Sequence, residues 1–91
     1  MCRWPAKLSN QLLCLWPIWA TIPSRLTLTE AEVNAAIQSA ECFGDHVLLR
    51  RELVNNRLIR RKPDGSDYRR VEQVPPADAL ALIRAVELRR R

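Results

Sequence analysis

Guanidinium groups, not nucleophiles, are the side chains here best suited to chemistry. The stretch from Asp45 to Glu72 holds eight basic residues: Arg50, Arg51, Arg57, Arg60, Arg61, Lys62, Arg69 and Arg70. Five acids oppose them: Asp45, Glu52, Asp64, Asp67 and Glu72. Arg presents a planar fork of donors that matches phosphate and carboxylate oxygens two at a time. A run of this kind points first to a polyanion. The whole chain agrees, with a formal net charge of +5 and a pI near 9.9. Such a balance favours DNA, RNA or an anionic surface. Arg richness is also what a GC-rich genome produces, and composition alone does not separate the two.

Other chemistries find little support. Cys2, Cys14 and Cys42 are odd in number and widely spaced, with no Cys-x-x-Cys pair. His46 is the sole histidine, so a Cys/His zinc set has too few ligands. No nucleophile–base pair and no phosphate-cradling glycine loop is present. These features predict a non-enzymatic, reduced, cytoplasmic protein without metal or cofactor. Leu12 to Ile22 is apolar and follows Arg3 and Lys7, as in a weak signal peptide. Pro17 and Pro23 interrupt it, it lacks an Ala-x-Ala site, and it is too short to span a bilayer. A buried, proline-broken helix and no membrane partner are expected.

Ninety-one residues allow one small domain, and its elements must position the arginines. Ser9 is expected to cap a first helix through Leu12, Leu13, Leu15 and Trp16, which Pro17 should stop or kink near Trp16. Trp4, Trp16 and Trp19 fit core or rim packing better than a base-stacking platform. Leu26 and Leu28 suit a minimal strand contact. Thr29-Glu30-Ala31-Glu32 is a capping box, followed by Val33, Ala36, Ile37 and Ala40 at helical spacing. After Gly44, Asp45 caps another helix, whose apolar arc is read as Val47, Leu49, Leu53 and Val54. Arg50 falls within that arc and is expected to be buried in an ion pair with Glu32 or Asp45. Leu48, Arg51, Glu52 and Asn55 are expected on the opposite side.

Arg57 to Lys62 and Asp67 to Glu72 read as a β-hairpin closed by Lys62-Pro63-Asp64-Gly65, with Tyr68 as inward anchor. Pro75-Pro76 then opens a last helix with Leu80, Ile83 and Val86, joined by Ala79 and Leu82, on its apolar side. Its arginine tail ends at Arg91. These elements predict an α+β winged helix: a three-helix helix-turn-helix core, a C-terminal hairpin wing and an extra C-terminal helix. Residues 1–28 form an N-terminal helical segment of the same domain, 29–72 the core with its hairpin, and 75–91 the final helix and tail.

Several motifs also carry a resemblance. They are Arg3-Trp4-Pro5 with Lys7, Thr29-Glu30 with Glu32-Val33-Asn34, Asp45, and Leu49-Arg50-Arg51-Glu52-Leu53-Val54. Arg61, Asp64-Gly65 and Tyr68-Arg69 complete them. On these the chain resembles, over roughly residues 3 to 72, the bacterial family known as domain of unknown function 2087. Members of that family stand alone or follow a helix-turn-helix domain like that of arsenic-type repressors. The resemblance implies a link to transcriptional regulation, by DNA binding or by sensing and connecting beside a separate DNA reader. The chain departs from the pattern at Pro17 and Pro23, which intrude on the first helix, and in its short lead before Trp4. The final helix lies outside the resemblance.

Two functions follow as expectations. In a DNA-binding winged helix, Arg51 and Asn55 face the major groove, where Arg and Asn read guanine and adenine edges. Arg60, Arg61, Lys62, Arg69 and Arg70 then hold phosphates. Glu52 and Leu48 on the reading face count against it. In a protein-interaction module Arg50 and Arg51 serve internal ion pairs, and the final helix binds a protein partner or a second copy of the chain.

Overall fold

A computed structural model describes residues 4–40, 44–65 and 67–89. Cys2, Arg3, Cys42 and the tail residues Arg90 and Arg91 lie outside the described residues. The element order is α1 (Leu8–Thr21), β1 (Thr27–Leu28), α2 (Glu30–Ala40), α3 (His46–Asn55), β2 (Ile59–Arg61), β3 (Tyr68–Arg70) and α4 (Ala77–Arg89). This is an α+β chain whose three short strands form an antiparallel sheet in the order β1-β3-β2. The arrangement is compatible with a winged-helix-like fold.

The two central helices begin where local chemistry dictates. Thr29 Oγ1 accepts the Glu32 N–H at 3.2 Å, and Glu32 Oε1 accepts the Thr29 N–H at 2.9 Å. Reciprocal capping satisfies two donors that a helix start otherwise leaves open. It also holds the Glu32 carboxyl below the usual carboxylate range, through the Thr29 N–H and then its hydroxyl. Asp45 Oδ1 accepts the Leu48 N–H at 3.0 Å and so fixes the start of α3.

The end of α3 is less conventional. The Arg57 N–H donates to Val54 O and the Leu58 N–H to Leu53 O, at 3.0 and 2.9 Å. This 5→2 and 6→1 pair is a Schellman motif, with Leu58 and Leu53 both buried in the same core. The left-handed position of that motif usually holds glycine. Here it holds Arg57, with φ of 60°.

Helix α1 departs from expectation. Lys7, not Ser9, occupies the N-cap position, without a side-chain cap, and the helix continues through Pro17 to Thr21. Proline removes one hydrogen bond and crowds the preceding turn, at a cost of about 3 kcal/mol. Ile18, Trp19 and Ile22 beyond it are all buried, and each such burial stabilises by about 1.5–3 kcal/mol. Tertiary packing therefore outweighs the local penalty.

The core joins Leu15, Trp16, Ile18, Trp19 and Ile22 of the α1 segment to Val33, Ile37, Leu49 and Leu53 of the central helices. Leu58, Ile59 and Tyr68 close it from the hairpin, and Trp4 packs partly against it. Helix α4 lies on α1 and buries Ala79 and Ile83. No helix among the described residues is long and apolar enough to cross a membrane.

Candidate nucleic-acid interface

The hairpin is tight and its register is defined. The Gly65 N–H closes the turn on Lys62 O at 2.8 Å, and Gly65 adopts φ of +75°, which glycine alone takes without strain. The strands are narrower than expected, at 59–61 and 68–70. Across them, Ile59 faces Arg70, Arg60 faces Arg69, and Arg61 faces Tyr68. Residues directly opposite share a sheet face. Arg60 and Arg69 therefore stand together on the outer face with Thr27 beyond them, while Ile59, Arg61, Tyr68 and Arg70 share the other. Two like charges at a cross-strand distance of about 5 Å destabilise a sheet. Neither guanidinium has a carboxylate partner among the described residues.

Two of the expected phosphate contacts are already committed elsewhere. The Arg70 guanidinium sits 4.2 Å from the centroid of the Trp19 ring. It donates from Nε and Nη2 to the two Glu72 oxygens at 3.0 and 2.7 Å, and its side chain is only 14% exposed. The arginine's hydrogen bonds draw the Glu72 carboxyl below its ordinary range, and nearby Arg25 adds to this. Trp19 completes the latch by donating its indole N–H to Val71 O at 3.1 Å, and Trp16 meets its ring edge-on. Arg70 is therefore a structural strut between α1 and β3. Lys62 is less tied down. Its ammonium lies 2.9 Å from Asp67 in an exposed pair, which raises the lysine above its usual range.

Arg50 also finds other partners than expected. Its Nη2 lies 3.0 Å from Glu30 Oε1 and its Nη1 donates to Asn34 Oδ1 at 2.6 Å. Glu32 and Asp45 are unsuited because each carboxylate is spent on a helix cap. Glu30 and Asn34 are four residues apart on α2, hence neighbours on one face. Their spacing is the signal that identifies the pair. The Arg50 side chain is 17% exposed and that of Glu30 is 53% exposed, so the bridge lies at the edge of the core.

The face of α3 that meets solvent differs from the expected one. Val47, placed in the apolar arc by the sequence reading, is 52% exposed. It lies two positions from Leu49, which at 3.6 residues per turn is the opposite side of the helix. Val47, Arg51 and Asn55 follow one another at four-residue spacing and form the exposed stripe. Glu52 is half-buried and lines a cavity with Leu8, Gln11 and Leu12 of α1, away from that stripe. Leu48 is likewise half-buried. The carboxylate expected to disturb the reading face is not on it.

Two cavities flank the hairpin and share Val54 and Arg61. The larger, about 560 Å³, has Ile59 and Val71 in its wall and Arg57, Arg60, Arg61 and Lys62 around it. The smaller, about 180 Å³, lies between α3 and the sheet and is lined by Arg50, Arg51, Asn55, Arg61 and Tyr68, with Val47 beside them. Six cations line the trough of two adjoining cavities, and among the described residues no carboxylate does. Arg51, Arg57, Arg60, Arg61 and Arg69 have no side-chain hydrogen bond or ion pair among the described residues. The trough unites Arg51, Asn55, Arg60, Arg61 and Lys62, adds Arg57, and leaves Arg69 on the outer sheet face.

Among the described residues, nothing comparable surrounds Cys14 or His46. Burial pushes the Cys14 thiol up, away from the thiolate that a nucleophile needs. His46 Nδ1 lies 3.2 Å from Gln38 Nε2 in a link between α2 and α3.

No curated protein and no solved structure matches this chain. A family model does match, over residues 1–70, ending at the last residue of β3. The chain belongs to the bacterial family described as "Uncharacterized protein conserved in bacteria (DUF2087)".

Proposed function

We propose that this chain is a winged-helix-like module that binds duplex DNA through the trough between α3 and the hairpin. The connectivity supports the reading, because helix, strand, two helices and a hairpin, with β1 joined to β3, follow winged-helix order. The observation that carries it is the trough itself, where Arg51, Arg57, Arg60 and Arg61 stand without an ion pair and no described carboxylate lines the walls. Concentrated like charge costs stability unless an anion neutralises it. Arg51 and Asn55 on the exposed stripe of α3 are the groups suited to base edges. Arg57, Arg60, Arg61 and Arg69 are suited to phosphates, with Lys62 available if it exchanges Asp67 for a phosphate oxygen.

Titration of a random-sequence duplex at two salt concentrations tests this. The expected Kd for sequence-independent contacts is about 10⁻⁴ to 10⁻⁶ M near physiological salt. Replacing Arg60 and Arg61 together with Ala, two arginines that line the trough, should weaken binding and flatten the salt slope by roughly one unit per lost phosphate contact. Absence of binding at low salt removes the proposal. The interaction-module reading then takes its place. Leu80 and Leu88 support it, since both stay exposed on α4 after the helix has packed on α1.

A further inference from the structure

The smaller cavity holds a feature that nonspecific charge does not require. Tyr68 is 2% exposed, yet its hydroxyl has no hydrogen-bond partner among the described residues. No fully enclosed side-chain oxygen or nitrogen lacks a partner among those residues. The hydroxyl must therefore use the little access that Tyr68 has, and the cavity that Tyr68 lines is the one between α3 and the sheet. Buried tyrosine hydroxyls ordinarily find a partner. The same cavity is lined by Arg50, Arg51, Arg61 and Asn55, all of which carry donors. Arg50 is held in place from behind by Glu30 and Asn34, which engage only part of its five-donor fork.

We propose that this cavity is a discrete site for one phosphate group, with the Tyr68 hydroxyl at its floor and Arg50, Arg51, Arg61 and Asn55 around it. Three guanidinium groups and two neutral donors exceed what a carboxylate accepts, since one bidentate arginine already matches it. A phosphate offers more oxygens and more charge. At about 180 Å³ the cavity is smaller than the pockets of about 300–1,000 Å³ that enclose drug-sized ligands, so it suits a single such group. The site stands apart from the DNA reading in chemistry. It rests on that reading only where the phosphate is taken to belong to a duplex backbone, in which case Arg51 and Asn55 hold that phosphate in place of base edges.

The test is titration of the full chain with inorganic phosphate against sodium chloride at equal ionic strength, following arginine side-chain N–H resonances. Tyr68→Phe deletes the hydroxyl and keeps the ring, and thermal unfolding verifies the fold. Both Tyr68→Phe and Arg51→Ala should weaken phosphate roughly tenfold or more, as expected for loss of a hydrogen bond to a charged group. Arg84→Ala, an exposed arginine of α4, should change nothing. Phosphate binding no stronger than chloride, or equal binding by wild type and Tyr68→Phe, overturns the site. A parallel titration with duplex separates the sources. Equal weakening of duplex and phosphate by Tyr68→Phe assigns the site to a backbone phosphate. Weakening of inorganic phosphate alone assigns it to a free phosphorylated ligand. Duplex binding without phosphate binding overturns the site and leaves the trough reading intact. Phosphate binding without duplex binding does the reverse.

Discussion

Arg69 and Arg70 are neighbours in β3, and the sheet sends them to opposite fates. Arg70 turns to the α1 side, where Trp19 covers its face and Glu72 takes its donors. Arg69 turns outward, opposite Arg60, with no ion pair among the described residues. The same division runs through the molecule. Towards α1 and α2 each inward cation has a carboxylate, as with Arg70 and Glu72 or Arg50 and Glu30. Around the trough Arg51, Arg57, Arg60 and Arg61 have none among the described residues. A basic stretch read as a count treats all eight cations alike. Side-chain direction decides which of them hold the fold and which remain available to a ligand.

The largest expected effect lies on this boundary. Arg70→Ala loses a stacked cation–π contact, two charge-assisted hydrogen bonds and packing over Trp19, and should lower stability by about 2 kcal/mol. Arg69→Ala should stay within about 0.5 kcal/mol, since it removes an exposed side chain and relieves repulsion with Arg60. Chemical denaturation of the two variants measures the contrast. Equal losses would show that Arg69 is also a structural residue and would erase the distinction between the two sides.

Arg50 and Arg51 repeat the contrast on α3 at smaller scale. Arg50 bridges to α2 through Glu30 and Asn34, but the half-exposed Glu30 screens the pair. Arg50→Ala should therefore cost about 1–2 kcal/mol, less than a fully buried pair. Arg51→Ala should leave stability within about 0.5 kcal/mol. Comparable denaturation midpoints for the two would place both arginines on the same face.

How much of this was legible in the sequence depends on whether the signal is local. The capping box, the Asp45 cap and the Lys62–Gly65 turn each involve three or four consecutive residues, and the structure follows them. Pro17 gave a local signal too, but the outcome is set by where Ile18, Trp19 and Ile22 pack, which lies elsewhere in the chain. The fate of Arg70 was equally hidden, because Trp19 is 51 residues away in sequence. Arg50's partners were within reach through the four-residue spacing of Glu30 and Asn34. The more obvious acids, Glu32 and Asp45, were already committed to the backbone. Val47 lies about half a turn from Leu49, so a period of 3.6 residues excludes it from the buried arc.

Arg57 sharpens the comparison further, because there the two demands meet in one residue. It occupies the left-handed position that ends α3, where a Cβ is unfavourable by about 1–2 kcal/mol and glycine carries no such penalty. Its side chain is exposed, has no partner among the described residues, and lines the larger cavity. A residue chosen for folding alone would be glycine. Arg57→Gly should raise stability, but by less than about 1 kcal/mol, because glycine also widens the unfolded ensemble. The same variant should weaken duplex binding and reduce its salt dependence, since one cation leaves the trough. A stabilised variant that binds as tightly as wild type would mean that Arg57 points its charge at nothing. A destabilised one would mean that its aliphatic stem packs on Ile59 or Val71 by enough to outweigh the strain.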